Sequence, residues 1–257
     1  MSETAVLVTG AASGIGRAVC LAASLGGQHI HALDRDAGGL HALLGEIHAA
    51  GGRATAHHVD VTAQEQVEEA FATVARGPAL RGVFTSAGVD LGGLAHELGP
   101  DTFRKVLEVN ATGTFLVVRQ ALRAMLATGG GGSIVLCGSP AAQVGFAAGG
   151  VTAYGASKGA ISSMTRTLAV DYARHGIRVN AVLPGPTETE LMWANVTATE
   201  RAAIRERIAG EVPLGRLARP GEIAQCVLWL LSAASSYTTG SLIGCDGGVL
   251  AKSSVSV

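Results

Sequence analysis

Thr4-Ala5-Val6-Leu7-Val8-Thr9-Gly10-Ala11-Ala12-Ser13-Gly14-Ile15-Gly16 opens the chain with an apolar run, a glycine-spaced turn and the first residues of an apolar-periodic helix. Ala5–Val8 has no polar face, as a parallel strand covered on both sides requires. With glycine at 36 of 257 residues, three glycines at this spacing say little on their own. Their position says more. At a strand-to-helix turn the backbone N–H groups of the helix start can hold a pyrophosphate, and glycine lets the ligand approach the main chain. Asp34 ends the next strand run, where a carboxylate accepts hydrogen bonds from an adenosine ribose. A tight turn followed by a helix-capping Asp is the plainer reading of the same residues. A methyltransferase would share both features. No G-K-[ST] follows, so a nucleotide-hydrolysing phosphate loop is not supported.

Outward from this stretch, short β-rich runs alternate with helical patterns to the end of the chain. Strands are predicted at Thr4–Thr9, Gln28–Leu33, Arg53–Val59, Arg81–Thr85, Ser133–Cys137, Ile177–Leu183 and Ser241–Cys245. Helices are predicted near 15–26, 36–50, 64–75, 101–128, 152–175, 199–210 and 220–233. That alternation implies right-handed βαβ crossovers and a doubly wound α/β sheet. No composition shift or linker divides the chain, which predicts a single domain over 1–257, and Pro184–Thr199, the longest stretch without a period, is expected to be a substrate lid. A loosely held tail is expected at 252–257.

Composition excludes several classes. A formal charge of −1, from 19 basic and 20 acidic residues, supplies no field for a polyanion such as nucleic acid. No apolar run is long enough for a membrane span, and the N-terminus lacks the pattern of a secretory signal. Four cysteines without a C-x-x-C pair fit reduced thiols in a cytoplasmic protein, with Cys137 and Cys245 expected as buried packing residues. His57 and His58 beside Asp60 raise the question of a metal, but adjacent strand residues point to opposite faces, and no metal is expected.

Tyr154-Gly-Ala-Ser-Lys158 is a sharper signal, because the chain holds only three tyrosines and, by count, three lysines. Their i, i+4 spacing puts both side chains on one helical face. A free Tyr titrates near ~10, and bringing it to ~7 needs about 4 kcal/mol of differential stabilisation. A lysine about 5 Å away in an effective dielectric near 20 supplies roughly 3 kcal/mol, so the pair reads as an acid/base couple. A Tyr/Lys pair on a solvated face is the alternative.

Taken together these residues resemble the short-chain dehydrogenase/reductase family, in its subgroup of similar length, over nearly the whole chain. Gly10, Ser13, Gly14, Ile15 and Gly16 look like its cofactor loop, and Asp60-Val61 resembles its adenine-contact pair. Ala87-Gly88 resembles the end of its Asn-Asn-Ala-Gly turn, and Asn110 its structural and catalytic Asn. Ser139 is similar to its substrate-oxygen Ser, and Tyr154 with Lys158 to its catalytic pair. Pro184, Gly185, Thr187 and Thr189 look like its nicotinamide-side segment. Arg219-Pro-Gly-Glu-Ile-Ala224 and Asp246-Gly-Gly248 resemble its C-terminal signature. Two departures stand out. Thr85-Ser86 replaces Asn-Asn, which is expected to keep the turn and to alter side-chain bonds at the sheet centre. Ser139 also precedes Tyr154 by a few residues more than is usual, which reads as an insertion in Gln143–Thr152 lengthening a loop that borders the substrate.

The resemblance implies a single-domain Rossmann fold with a seven-stranded parallel sheet flanked by helices. It implies hydride transfer between a nicotinamide and a secondary alcohol or ketone, with Tyr154 as general acid/base and Lys158 depressing its pKa and binding the ribose. Ser139 would bond the reacting oxygen, and Asn110 would hold a water of the proton relay. Asp34 favours NAD, since a 2′-phosphate would meet its charge, whereas Arg35 beside it could welcome that phosphate. A homotetramer is expected, from the apolar C-terminal third around Trp229, Leu230 and Leu231. Met192 and Trp193 either line the pocket or anchor their loop. The rival readings are an NADPH-dependent 3-oxoacyl-carrier reductase and a catalytically silent dinucleotide sensor.

Overall fold

The computed structural model describes residues 4–194 and 196–252. Its seven strands form one parallel sheet in the order β3-β2-β1-β4-β5-β6-β7, with β1 Thr4–Thr9, β2 His29–Asp34, β3 Arg53–His58, β4 Ala79–Thr85, β5 Gly132–Cys137, β6 Ile177–Pro184 and β7 Leu242–Cys245. The chain winds outward from β1 in one direction, then returns to β4 and winds in the other. The strand order therefore reverses between β1 and β4, and a cleft opens beyond their C-terminal ends.

Because β1, β4 and β5 lie mid-sheet, both faces need apolar cover, and alternate residues go to opposite cores. Ala5, Leu7, Val83, Ile134 and Leu136 pack under α3 (Gln64–Val74), α5 (Thr114–Thr128) and α6 (Thr152–Tyr172). Val6, Val8, Phe84 and Val135 pack under α1 (Gly14–Leu25), α2 (Ala37–Ala49) and α9 (Pro220–Leu231). This two-sided burial is why those strands read as unbroken apolar runs.

Three expectations are corrected. The helix expected across 101–128 is α4 (Pro100–Leu107) and α5 joined by a wider π-helical turn, Glu108–Gly113. There the Thr114 hydroxyl donates to the Asn110 carbonyl at 2.8 Å, and periodicity alone cannot register one extra residue in a turn. Pro184–Thr199 also carries structure. Pro184 belongs to β6, Thr187 bridges to Ala218, and one helical turn, α7 (Glu190–Trp193), is capped by Thr189. A single turn is too short to show a period. The helix before α9 is α8 (Arg201–Glu211). Cys137 and Cys245, finally, are half-buried rather than buried: both pack against the core but end their strands. The neighbouring Cys226 thiol holds Cys245 below the ordinary thiol value. Of the expected tail, 253–257 lies outside the described residues.

Candidate active site

Every parallel strand from β1 to β6 delivers its candidate residues at its C-terminal end, so one edge of the sheet collects them. After β1, the loop enters α1 with Gly10 and Gly14 at positive φ, 64° and 52°. A side chain at Gly16 would place its Cβ 2.1 Å from the Gly10 carbonyl oxygen, which packs α1 directly on the loop. Ser13 caps α1 without a side-chain hydrogen bond, and no acidic residue stands in the first turn. The N–H groups of this helix start are thus left for an anionic ligand.

Asp34 does double duty at the end of β2. Its carboxylate accepts from Ala12 N at 2.9 Å and from Asp36 N at 3.0 Å, so it braces the glycine loop and the turn that follows β2. Arg35 is exposed, and its carbonyl bonds the exposed His58 ring at 3.0 Å. After β3, Asp60 accepts from the Thr62 N–H and hydroxyl at 2.9 and 2.7 Å, bonds that lower its pKa. Val61 is buried against Gly113. The turn after β4 hangs on Thr9, whose hydroxyl oxygen accepts from Ser86 N and Ala87 N, each at 3.1 Å. The Thr85 hydroxyl, buried at the sheet centre, has no hydrogen-bond partner among the described residues. With Thr85 in place of Asn, the turn is still held, by the Thr9 hydroxyl.

Asn110 is buried, and its side chain clamps the next segment: Oδ1 accepts from Val89 N at 2.8 Å while Nδ2 donates to Val89 O at 2.9 Å and to Ser157 Oγ at 3.0 Å. The Ser157 hydroxyl in turn donates to the Tyr154 carbonyl at 2.7 Å, locking the first turn of α6. Lys158, buried, donates to Cys137 O at 2.8 Å and lies 5.4 Å from the centre of the Tyr154 ring. Ser139 stands near enough to the Tyr154 phenol to pull its pKa down, and the Ser139 oxygen accepts from Ala141 N at 3.2 Å. Despite the longer spacing, Ser139, Tyr154, Lys158 and Asn110 stand together; the insertion loops outward between them. Its residues 143–146 and 149–152, with Ala141, Ala142, Gly155 and Ala156, line an open cavity of about 480 Å³.

The expected depression of the Tyr154 pKa is not what results. Burial of the phenol pushes it above its ordinary value of 10.0, and the opposing Lys158 charge and Ser139 hydroxyl do not overcome that. Of the segment after β6, Thr189 packs against Gly14, whereas Thr187 turns its hydroxyl back to Gly185 O at 2.8 Å. Trp193 is an anchor: it is buried, its indole N–H donates to Glu188 at 3.2 Å, and Arg205, bonded to the same carboxylate, lies over its ring. Met192 is half-buried. Two residues of the site escape sequence reasoning, Ser157 and Asp90. The signal for Asp90 was available, a lone acid among the small and apolar residues 86–95.

A family whose sequence model is described as Enoyl-(Acyl carrier protein) reductase matches residues 10–250. A 2,5-dichloro-2,5-cyclohexadiene-1,4-diol dehydrogenase of Sphingobium indicum is 35% identical over 255 residues, covering 98% of each chain. The chain is a short-chain dehydrogenase/reductase. A galactitol 2-dehydrogenase (L-tagatose-forming) of Cereibacter sphaeroides is 37% identical over 94% of this short-chain dehydrogenase/reductase and 92% of the relative. Among solved structures, a short-chain type dehydrogenase/reductase from Mycobacterium marinum superposes with a TM-score of 0.88 at 33% identity, covering 97% of this chain and 96% of that one. An actinorhodin polyketide ketoreductase with NADPH gives 0.89 at 32% identity, over 96% and 97%. Like its family, this short-chain dehydrogenase/reductase is an oxidoreductase of secondary alcohols or ketones that binds a nicotinamide dinucleotide. The glycine loop and the uncapped helix start beside it fit such a cofactor.

Proposed function

We propose that the enzyme transfers hydride between NAD(H) and a secondary alcohol or ketone carbon of a small molecule, with Tyr154 as general acid/base. The observation that carries this reading is the convergence of Ser139, Tyr154, Lys158 and Asn110 beside the glycine loop, on one edge of the sheet. When bound, the nicotinamide supplies the hydride chemistry. Tyr154 moves the proton of the substrate oxygen, and Ser139 holds that oxygen through its hydroxyl. Lys158 is fixed by Cys137 O and favours the phenolate by its charge. Asn110 spends both amide hydrogens on Val89 and Ser157, so it positions those residues, and a relay water at Asn110 would be held by an acceptor oxygen.

Glycine loop, Asp34, Arg35, Asp60-Val61, Ala87-Gly88 and the 184–189 segment form the dinucleotide surface in this reading. Asp34 supports NAD over NADP, because its carboxylate ends β2 beside the glycine loop, where this fold places the ribose hydroxyls. NADPH-dependent reduction of a carrier-bound 3-oxoacyl group is the second reading, favoured by the exposed Arg35 next to Asp34. The enzyme is further proposed to work as one domain with 184–199 over the substrate, as a cytoplasmic homotetramer. Absorbance at 340 nm with a panel of secondary alcohols and NAD tests the central claim. Turnover in the wild type, and a loss of about 100-fold or more in Tyr154→Phe with NADH binding kept, is the expected result. Binding without turnover in the wild type would make the protein a sensor.

A further inference from the structure

We propose that Glu188 is a positioning residue: paired with Arg205, it closes residues 188–193 into a clasp that lies against the glycine loop and sets the affinity for the dinucleotide. The assignment rests on the dehydrogenase reading above. As far as Thr187 the backbone is secured by a ladder. Glu188 N donates to Ala218 O and Ala218 N to Pro186 O, each at 2.9 Å, around the parallel bridge of Thr187 with Ala218. Beyond Glu188 the chain turns into α7, four residues long, and one helical turn does not hold itself in water. Trp193 holds it. This side chain is 8% exposed, and its indole N–H turns back to donate to Glu188 Oε2 at 3.2 Å. The loop closed by that bond contains the two residues that meet the glycine loop: a Cβ at Gly14 would lie 3.1 Å from Thr189 Cγ2 and 3.6 Å from Glu190 Oε2. Gly14 opens α1, whose helix start is left for an anionic ligand.

Arg205 completes the clasp from α8. Its Nη2 donates to the same Glu188 Oε2 at 2.8 Å, and its guanidinium carbon lies 5.8 Å from the centre of the Trp193 ring. None of the 11 residues of α8 is buried. Among the described residues, Arg205 is the one side chain of that helix that hydrogen-bonds another element. The Arg205 side chain is 58% exposed, and an ion pair this exposed adds little to stability. Its effect is on charge. Glu188 and Glu190 place two carboxylates on the segment that touches the cofactor loop, and a dinucleotide brings its own negative charge to that loop. An unpaired Glu188 would still hold the indole N–H, but it would repel the ligand. Paired with Arg205, Glu188 keeps its hydrogen bond to Trp193 and loses most of that repulsion.

The test measures Kd for NADH by its fluorescence, and kcat with the panel alcohol that the wild type oxidises fastest. Arg205→Leu should raise Kd about 3- to 10-fold, with kcat at saturating cofactor within about two-fold of the wild type. Arg205→Lys, which keeps the charge, should restore most of the affinity. Trp193→Phe, which keeps a ring and loses the N–H, should also raise Kd. In a Glu188→Gln background the charge to be offset is gone, so adding Arg205→Leu should change Kd by less than about two-fold. An equal effect of Arg205→Leu in both backgrounds would mean that Arg205 acts on the dinucleotide directly. That outcome, or a wild-type Kd in either Arg205→Leu or Trp193→Phe, or a loss of kcat with Kd unchanged, overturns the clasp and leaves the dehydrogenase reading standing. A wild type that binds no NADH counts against both.

Discussion

Tyr154 must trade a proton with the substrate oxygen, yet its surroundings hold that proton. Burial raises its pKa; the Lys158 charge and the nearby Ser139 hydroxyl pull the other way, and Asp90 adds to the rise. The phenol is therefore the dominant form at neutral pH, ready to act as an acid in ketone reduction. Alcohol oxidation needs the phenolate, so its kcat/KM should climb with pH across about pH 6 to 9, while reduction stays nearly flat over the same range. Oxidation levelling off below neutrality would show that the complex overrides burial. Asp34 offers a second test at this scale. Bringing a 2′-phosphate against its carboxylate costs Coulomb energy, so Asp34→Ala should raise the NADP-to-NAD ratio of kcat/KM, measured at one ionic strength. A wild type already faster with NADP would mean that Arg35 outweighs Asp34. The catalytic pair was legible in the sequence because i, i+4 spacing is a local property of a helix. The net direction of the Tyr154 shift was not, since desolvation depends on everything packed around the ring.

Elements were legible where burial is two-sided, and less so where tertiary contacts bend the backbone. The apolar runs of β1 and β5 announce themselves, whereas the π-helical turn around Asn110 leaves no periodic mark. A second hidden feature joins β2 to β3. His31 and His57, from different strands, meet at 3.1 Å between Nδ1 and Nε2, with the His29 ring 4.8 Å from that of His31. Nothing in a linear reading pairs residues 26 positions apart. Burial and the neighbouring imidazoles lower His31 from 6.5 to about 3, and His57 is also lowered. A lowered histidine is neutral in the fold but takes up a proton when unfolded below pH 6.5. Its contribution is therefore complete above that pH and is lost progressively as pH falls from 6.5 toward 3. Urea midpoints for the wild type should drop between about pH 7.5 and 5. In His31→Leu the drop should be smaller, whatever the variant's absolute stability. An equal drop in both would place the acid sensitivity elsewhere.

At the scale of the whole molecule, the fold leaves two separate apolar surfaces that no element of the described chain covers. On the face of α3, α5 and α6, Phe115, Leu126 and Val170 are 48%, 42% and 80% exposed. At the opposite flank, Trp229 on α9 and Tyr237 before β7 are 40% and 104% exposed, whereas Leu230 points into the core. Beside them β7 ends the sheet, and four residues of parallel strand offer an outer edge to another chain. A single isologous contact would make a dimer and leave one of these surfaces in water. Two different isologous contacts, each related by its own two-fold axis, close into a tetramer. Light scattering at micromolar concentration should accordingly report four chains. Placing a charge at one surface, by Trp229→Lys or by Val170→Lys, should stop assembly at the dimer, and the double variant should stop it at the monomer. A wild-type mass of one chain would refute the assembly outright, and a tetramer indifferent to both substitutions would move its contacts to other faces.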